Sequence, residues 1–429
     1  MARYINELHS NIINNIESKL WQEVATKFTK EANLIPVYFN SANLKKIYRR
    51  RAEIIEFYAK KYGSETNYEF PERSPTRKKI RLGILALQFG VQTETFATLP
   101  VYNHLSRDLF EIILYTLKTS NHRLERYCVG HADALIKLPS DLQGQVQTIR
   151  EAELDILFIS TNVTAVTHPV TLLALHRLAR IQIVDANSPV TTGMRHVDYY
   201  ISSKLSEPEN DAREHYTETL IKLDSPPQCF DFTTEAQLLA TTSISRESLG
   251  IGENTIVYIS GANIYKILPE VEAAWVKIIA NVPNSVLLLY PFNPNWSSSY
   301  PVVGFRKRIS ATFVKHNLDE DRLIILDAAP NRADVKERLK IADIYLDTYP
   351  YSGMTSLIDP LEVGLPTVVL EGECSRSKKG ASLLRSLQMF DLIEGVVSIL
   401  PPRALMRSIA IWRVRSSMAL FNTIVQAEI

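Results

Sequence analysis

At 429 residues the chain is long enough for about two to three domains with cores of their own. Its charges cancel to a formal +1, which implies no large single-signed surface, so neither nucleic acid nor a membrane surface is expected as a partner. Cys128, Cys229 and Cys374 lie far apart without metal-ligand spacing and read as reduced thiols of a cytoplasmic protein. The opening Met1-Ala2-Arg3-Tyr4-Ile5-Asn6 lacks a signal-peptide core, and no run of about eighteen apolar residues occurs, so no membrane span is expected.

In residues 10–30, Ile13, Ile16, Leu20, Val24 and Phe28 recur at spacings of one helical face. A second helix is predicted over 42–62 with Ile47, Ile54, Ile55 and Tyr58 inside and Arg49-Arg50-Arg51 on a solvated face. The polar, Pro-bearing stretch 63–79 reads as a linker, and there is no thirty-four-residue helical repeat. From residue 80 apolar strands alternate with helices, the pattern of a parallel sheet. Strands are predicted at 80–87, 112–117, 154–159, 181–184 and 199–201, and a second series at 255–260, 285–290, 323–326, 344–346 and 367–370. Two Rossmann-like halves follow, joined near 233–250. The domains are expected at 1–75 (helical segment and linker), 76–240 and 241–429.

The stretch 342–366 carries the strongest local signal. A buried-type strand, Ile344 to Leu346, ends in a Pro/Ser/Gly loop, a helix follows, and Gly364-Leu365-Pro366 stops it before the next strand. Such a loop sits where open α/β sheets bind ligands. Free N–H groups at the helix start, with the hydroxyls of Thr355 and Ser356, suit a phosphate, although an ordinary strand-loop-helix would look the same. Asp359-Pro360 offers a rival start, as N-cap and first helical residue, which would leave the hydroxyl pair in the loop. Pro360 predicts a kink or a late start.

Leu346-Asp347-Thr348, Gly353, Thr355-Ser356, Asp359, Leu361, Gly364 and Pro366 together resemble the donor-binding segment of the family of O-linked N-acetylglucosamine transferases and plant Spindly-type glycosyltransferases. Lys79-Ile80-Arg81-Leu82-Gly83 with Gln88-Phe89-Gly90, then Ser188 to Gly193 with Val197 to Ile201, and then Gly261 to Ile267 with Val282 to Leu287 are similar to further family segments in the same order. The resemblance implies a bacterial-type member without tetratricopeptide repeats and a GT-B fold: two Rossmann-like domains facing a cleft, preceded here by a helical segment. It implies a nucleotide-sugar co-substrate, UDP-linked N-acetylglucosamine first of all, with no other cofactor and no metal, and a protein or peptide acceptor.

Carried over residue by residue, the resemblance makes Lys266 the contact to the donor diphosphate. Asn263 stands where the family has Gln, Asp359 where its Asp holds the ribose side, Met354 where it often has His, and Asp334 roughly where another His falls. With Gly353, Thr355 and Ser356 these form the expected donor site. Lys266 could also be a surface lysine that opens the next helix. Gln92 occupies the position of a family His near the acceptor; an amide can orient a hydroxyl but cannot act as a base. Val163 approximately matches an aromatic or His position, Lys378 replaces an Arg, and none of the nine histidines falls on a motif. His168, His176 and His196 read as structural. Asp319-Glu320-Asp321 reads as a solvated turn rather than a metal loop, and Leu420-Phe421-Asn422 resembles the opening of the family's last helix. Retention of Lys266, Thr355 and Asp359 favours an enzyme. The missing histidines leave open an inactive, partner-binding relative; GDP-fucose O-fucosyl transfer is another alternative, and a sugar-nucleotide epimerase a weaker one.

Overall fold

Strands that alternate with helices must cross over one face of a sheet or the other, and strand order records where the crossovers change sides. The structure, a computed structural model, describes residues 2–292 and 300–395. The chain divides into two units, Met1–Thr234 and Glu235–Ile429. No helix among the described residues is long and apolar enough to cross a membrane.

The first unit opens with helices α1 (Ala2–Asn14), α2 (Lys19–Glu31) and α3 (Lys45–Lys61). The single helix expected over 10–30 is broken: Asn15 turns its side chain back to Asn11 O, and Ser18, in extended conformation, is the N-cap of α2. Asn and Ser compete with the helix for its own backbone groups, which is why they end one helix and start the next. The break leaves Leu20 exposed, while Ile12, Ala25 and Ile54 close a small core with Ile13, Val24 and Phe28. Tyr58 is half-buried rather than inside. The basic triplet departs further from expectation. Arg51 is fully buried and its Nη1 donates to Val163 O at 2.9 Å, so this residue is a strut and not part of a solvated face. The stretch 63–79 is irregular but pinned down: Arg177 N donates to Thr66 O, and Arg73 and Arg77 both reach Asp155.

The remainder of the unit runs β1 (Ile80–Ala86), α4 (Thr93–Asn103), β2 (Phe110–Thr116), α5 (Arg123–Gly130), β3 (Ala134–Lys137), α6 (Leu142–Glu151), β4 (Ile156–Ile159), α7 (Pro169–Ala174), β5 (Ile181–Asp185), β6 (Tyr199–Ser203) and β7 (Thr219–Leu223). The sheet is parallel, in the order β3-β2-β1-β4-β5-β6-β7. Its direction reverses between β1 and β4, the place where doubly wound sheets leave a crevice at their carboxyl ends.

The second unit repeats the plan with β8 (Ile256–Ser260), α8 (Pro269–Asn281), β9 (Ser285–Leu289), α9 (Val302–Lys315), β10 (Leu323–Ile325), α10 (Arg332–Lys340), β11 (Ile344–Leu346), α11 (Thr355–Glu362), β12 (Thr367–Glu371), α12 (Ser375–Ser386) and β13 (Ile393–Gly395). The order is β10-β9-β8-β11-β12-β13, so β8, β11 and β12 are neighbours and the reversal falls between β8 and β11. Strands β3, β7 and β13 were not predicted. Each lies at a sheet edge, where a strand lacks the continuous apolar run that marks its buried neighbours.

Candidate functional site

The carboxyl ends of β8, β11 and β12 lie side by side, and the loops that leave them bring most of the predicted donor residues together. At the end of β8, Ser260 Oγ donates to Leu346 O at 2.7 Å, tying the strand to β11. The chain then makes a one-turn 3₁₀ helix, Ile264–Lys266, capped by Asn263, whose Oδ1 accepts from Tyr265 N. Asn263 Nδ2 donates to Tyr300 Oη at 2.6 Å, so this amide is engaged at both ends within the fold.

Lys266 is 8 % exposed. Its Nζ donates to Ser352 O at 3.3 Å and lies 4.5 Å from the centre of the Tyr351 ring. Burial pulls the ammonium down to about 8, against the nearby charge of Asp347, which acts to raise it. Asp347 is half-buried, and loss of solvent pushes its carboxyl up, while Lys266 and the hydrogen bonds from Ser352, Thr348 and Gly353 pull it down. The surface-lysine alternative is thereby removed.

The loop after β11 is built around Asp347. Its carboxylate accepts from Ser352 Oγ at 2.5 Å and Gly353 N at 2.9 Å, and Gly380 N of α12 donates to Ser352 Oγ at 2.9 Å. A Cβ on Gly353 would stand 2.6 Å from Ser356 Oγ, and one on Gly380 would stand 2.5 Å from Ser352 Oγ. Both glycines are therefore required by close approach. Helix α11 begins at Thr355, with the buried Met354 as its N-cap and no side-chain cap. The start at Asp359 is thus excluded: Thr355 and Ser356 occupy the first two helical positions, whose N–H groups no intrahelical carbonyl can take. Pro360 sits inside the short helix.

Two predicted residues have other work. Asp359 accepts from Arg332 Nε at 2.6 Å, and Arg332 with Lys336 also reaches Glu362. Asp334 is fully buried and takes hydrogen bonds from the N–H and hydroxyl groups of both Thr241 and Thr242, all within 3.0 Å. That corrects its expected role as a donor ligand, because its carboxylate clasps the segment entering the second unit. Sequence reasoning passed over Arg376 and Lys379, both buried in the first turns of α12. The signal was present, a basic cluster soon after a strand; its middle member, Lys378, pairs instead with Glu371 at 3.2 Å beside Arg385.

In the first unit Gln92 is the N-cap of α4, at the carboxyl end of β1, and its Nε2 donates to Gln88 O at 3.0 Å. Val163 is fully buried in the core, so its approximate motif match carries no chemistry. His168 Nε2 is bonded to Asn162 O, His176 Nδ1 to Leu172 O and His196 Nε2 to Asn67, each a structural contact. Asp319, Glu320 and Asp321 are exposed at the amino end of β10, away from the carboxyl edge. The motif at Leu420-Phe421-Asn422 lies outside the described residues.

A buried lysine, a helix start and two further buried cations thus stand in the segments that follow the carboxyl ends of three adjacent strands. Residues 232–398, which contain all of them, match the model of glycosyl transferase family 41. That match lies almost entirely within the second unit. It is 28 % identical over 340 residues to the probable UDP-N-acetylglucosamine–peptide N-acetylglucosaminyltransferase SPINDLY of Arabidopsis thaliana, covering 77 % of this chain and 35 % of the relative. It is 24 % identical over 364 residues to the SPINDLY protein of Hordeum vulgare, covering 83 % of this chain and 36 % of that protein. The chain thus spans about a third of the length of these relatives. Among solved structures, a mutant of the Thermobaculum terrenum O-GlcNAc transferase superposes with a TM-score of 0.68 at 19 % identity, over 98 % of this chain and 74 % of that one. The chain has the GT-B fold class.

Proposed function

We propose that this chain is a family 41 glycosyltransferase that moves a sugar, with N-acetylglucosamine from a UDP-linked donor as the first candidate, to a hydroxyl of a protein or peptide acceptor. The observation that carries the reading is the placement of Lys266, the start of α11 at Thr355 and Ser356, and the buried Arg376 and Lys379 in the segments that leave the carboxyl ends of β8, β11 and β12. An ammonium and oriented N–H groups there neutralise the charge that grows on a departing nucleoside diphosphate. The acceptor oxygen attacks the anomeric carbon as the bond to the diphosphate breaks. Relatives named as peptide N-acetylglucosaminyltransferases support the sugar and the acceptor class.

The donor contacts are assigned to Lys266, Gly353, Met354, Thr355 and Ser356, with Asn263 and Asp359 supporting them through Tyr300 and Arg332. The unit 241–429 is read as the donor domain, and 76–240 as the acceptor side. A cytoplasmic setting agrees with the three free cysteines. The test is turnover against a panel of UDP- and GDP-sugars with Ser- and Thr-containing peptides. Transfer from UDP-N-acetylglucosamine is the expected outcome; selective turnover of GDP-fucose would reassign the donor, and no turnover of any sugar nucleotide would overturn the reading.

A further inference from the structure

A lysine that contacts a diphosphate must have its backbone held in place, and the backbone of Lys266 is a single turn of 3₁₀ helix, Ile264–Lys266. Hydrogen bonds in such a turn have poorer geometry than those of an α-helix, so one turn draws its position from its neighbours. Lys266 N and Ile267 N close the turn on Asn263 O and Ile264 O, and the Ile267 side chain is buried in the core of the second unit. The next carbonyl, Ile267 O, is taken from outside the turn: Arg308 of α9 donates to it from Nη2 at 3.0 Å.

Arg308 is fixed in its turn by an ion pair. The same Nη2 lies 2.6 Å from Glu272 Oε1 in α8, and the carboxylate is 4 % exposed against 47 % for the arginine side chain. An acid buried that far needs a cation beside it, and stranding it without one is strongly destabilising. Burial raises the Glu272 carboxyl, and Arg308 pulls it back. While Arg308 stays on Glu272 it also grips the peptide that follows Lys266. At the far end of the lysine, Nζ rests on Ser352 O and beside the Tyr351 ring, and Asp347 is the charge that faces it. Lys266 is thus held twice, at its ammonium by the loop after β11 and at its backbone by α9.

We infer that Arg308 is a positioning residue for donor binding: its grip on Ile267 O sets where the Lys266 ammonium stands, and so how tightly a nucleoside diphosphate is held. This rests on the reading of Lys266 as the diphosphate contact. A bridge that served only to join α8 to α9 would support the fold equally well, but it would leave the titration of Lys266 and its hold on a nucleotide unaltered.

The experiment is calorimetric titration of UDP and GDP into the full chain at a series of pH values, with thermal melts to show that each variant is folded. Arg308→Met alone would strand the buried Glu272, so Glu272→Gln serves as the reference and Arg308→Met is added to it. Adding Arg308→Met should weaken nucleotide binding about tenfold, part of the loss that Lys266→Ala causes. The pH at which affinity is lost should also move from about 8 up toward the ordinary lysine value of 10.5, because a loosened ammonium is less buried. With Lys266→Ala already present, Arg308→Met should have almost no further effect, since the two residues act through one contact. Unchanged affinity with an unchanged pH midpoint overturns this inference alone, as does a loss of the same size with and without Lys266. A wild type that binds UDP and GDP no better than Lys266→Ala, or not at all, overturns the reading of Lys266, and the assignment of Arg308 falls with it.

Discussion

Lys266 and Asp347, two groups of opposite charge, meet on one residue: Ser352 accepts from Lys266 Nζ through its carbonyl and donates to Asp347 through its hydroxyl. The same hydroxyl accepts from Gly380 N, so Ser352 joins the turn carrying Lys266, the loop after β11 and helix α12. Gly380→Ala would press a methyl against Ser352 Oγ and should cost about 1–3 kcal/mol of stability through overpacking. Because the strain falls on the residue that orients Lys266, nucleotide affinity should fall as well, read by calorimetry beside a thermal melt. Wild-type affinity in a destabilised variant would separate the loop from binding.

Asp334 supplies a second, pH-dependent prediction. Burial acts to raise its carboxyl, but the hydrogen bonds from Thr242 and Thr241 prevail and hold it at about 2, below the ordinary 3.8. A depressed carboxylate contributes stability that is present above the unfolded value and is lost as pH falls through the folded one. Unfolding midpoints in urea should therefore drop between pH 3.8 and about 2 in the wild type, and the drop should be shallower in Asp334→Asn. An identical slope in the two proteins would contradict the clasp.

Arg51 separates volume from charge. It is fully buried with its Nη1 on Val163 O. Arg51→Ala empties that volume and should cost about 2–5 kcal/mol. Arg51→Met keeps most of the volume and removes a buried charge, and should cost under about 1 kcal/mol or stabilise. Equal damage from both in chemical denaturation would mean that the bond to Val163 O dominates.

Metal removal gives a fourth test. Asp319 and Asp321 are exposed at the amino end of β10, while Lys266 and the start of α11 lie at the carboxyl edge of the same sheet. Treatment with EDTA should leave donor binding and turnover unchanged, and so should Asp319→Asn with Asp321→Asn. A loss restored by magnesium or manganese, and reproduced by that double substitution, would require a metal.

The central strands of both sheets were legible because a strand buried on both faces is a continuous apolar run, and Ile344 to Leu346 matches to the residue. Edge strands such as Thr219–Leu223, with most of its residues exposed, carry no such run. The start of α11 was ambiguous between Thr355 and Asp359 because Asp-Pro is a good helix opening; the contact of Arg332 with Asp359, twenty-seven residues apart, removes that ambiguity and cannot be read locally. The fate of Asp334 was hidden for the same reason, since its partners are ninety-two and ninety-three residues away. Arg51 looked solvated because periodicity shows which side of a helix is apolar and not which charge has a carbonyl waiting within the core.

The most direct test is calorimetric titration of UDP and GDP into the wild type and Lys266→Ala, across a range of pH. With Lys266 held at about 8, the apo protein carries the charged ammonium below that value and loses it above, so affinity should weaken as pH rises through about 8. Lys266→Ala should bind about 1–3 kcal/mol more weakly at pH 7 and show no such loss, because its charge-assisted contact is already gone. Binding that is equally tight in the two proteins and equally indifferent to pH would contradict the assignment of Lys266 to the donor diphosphate.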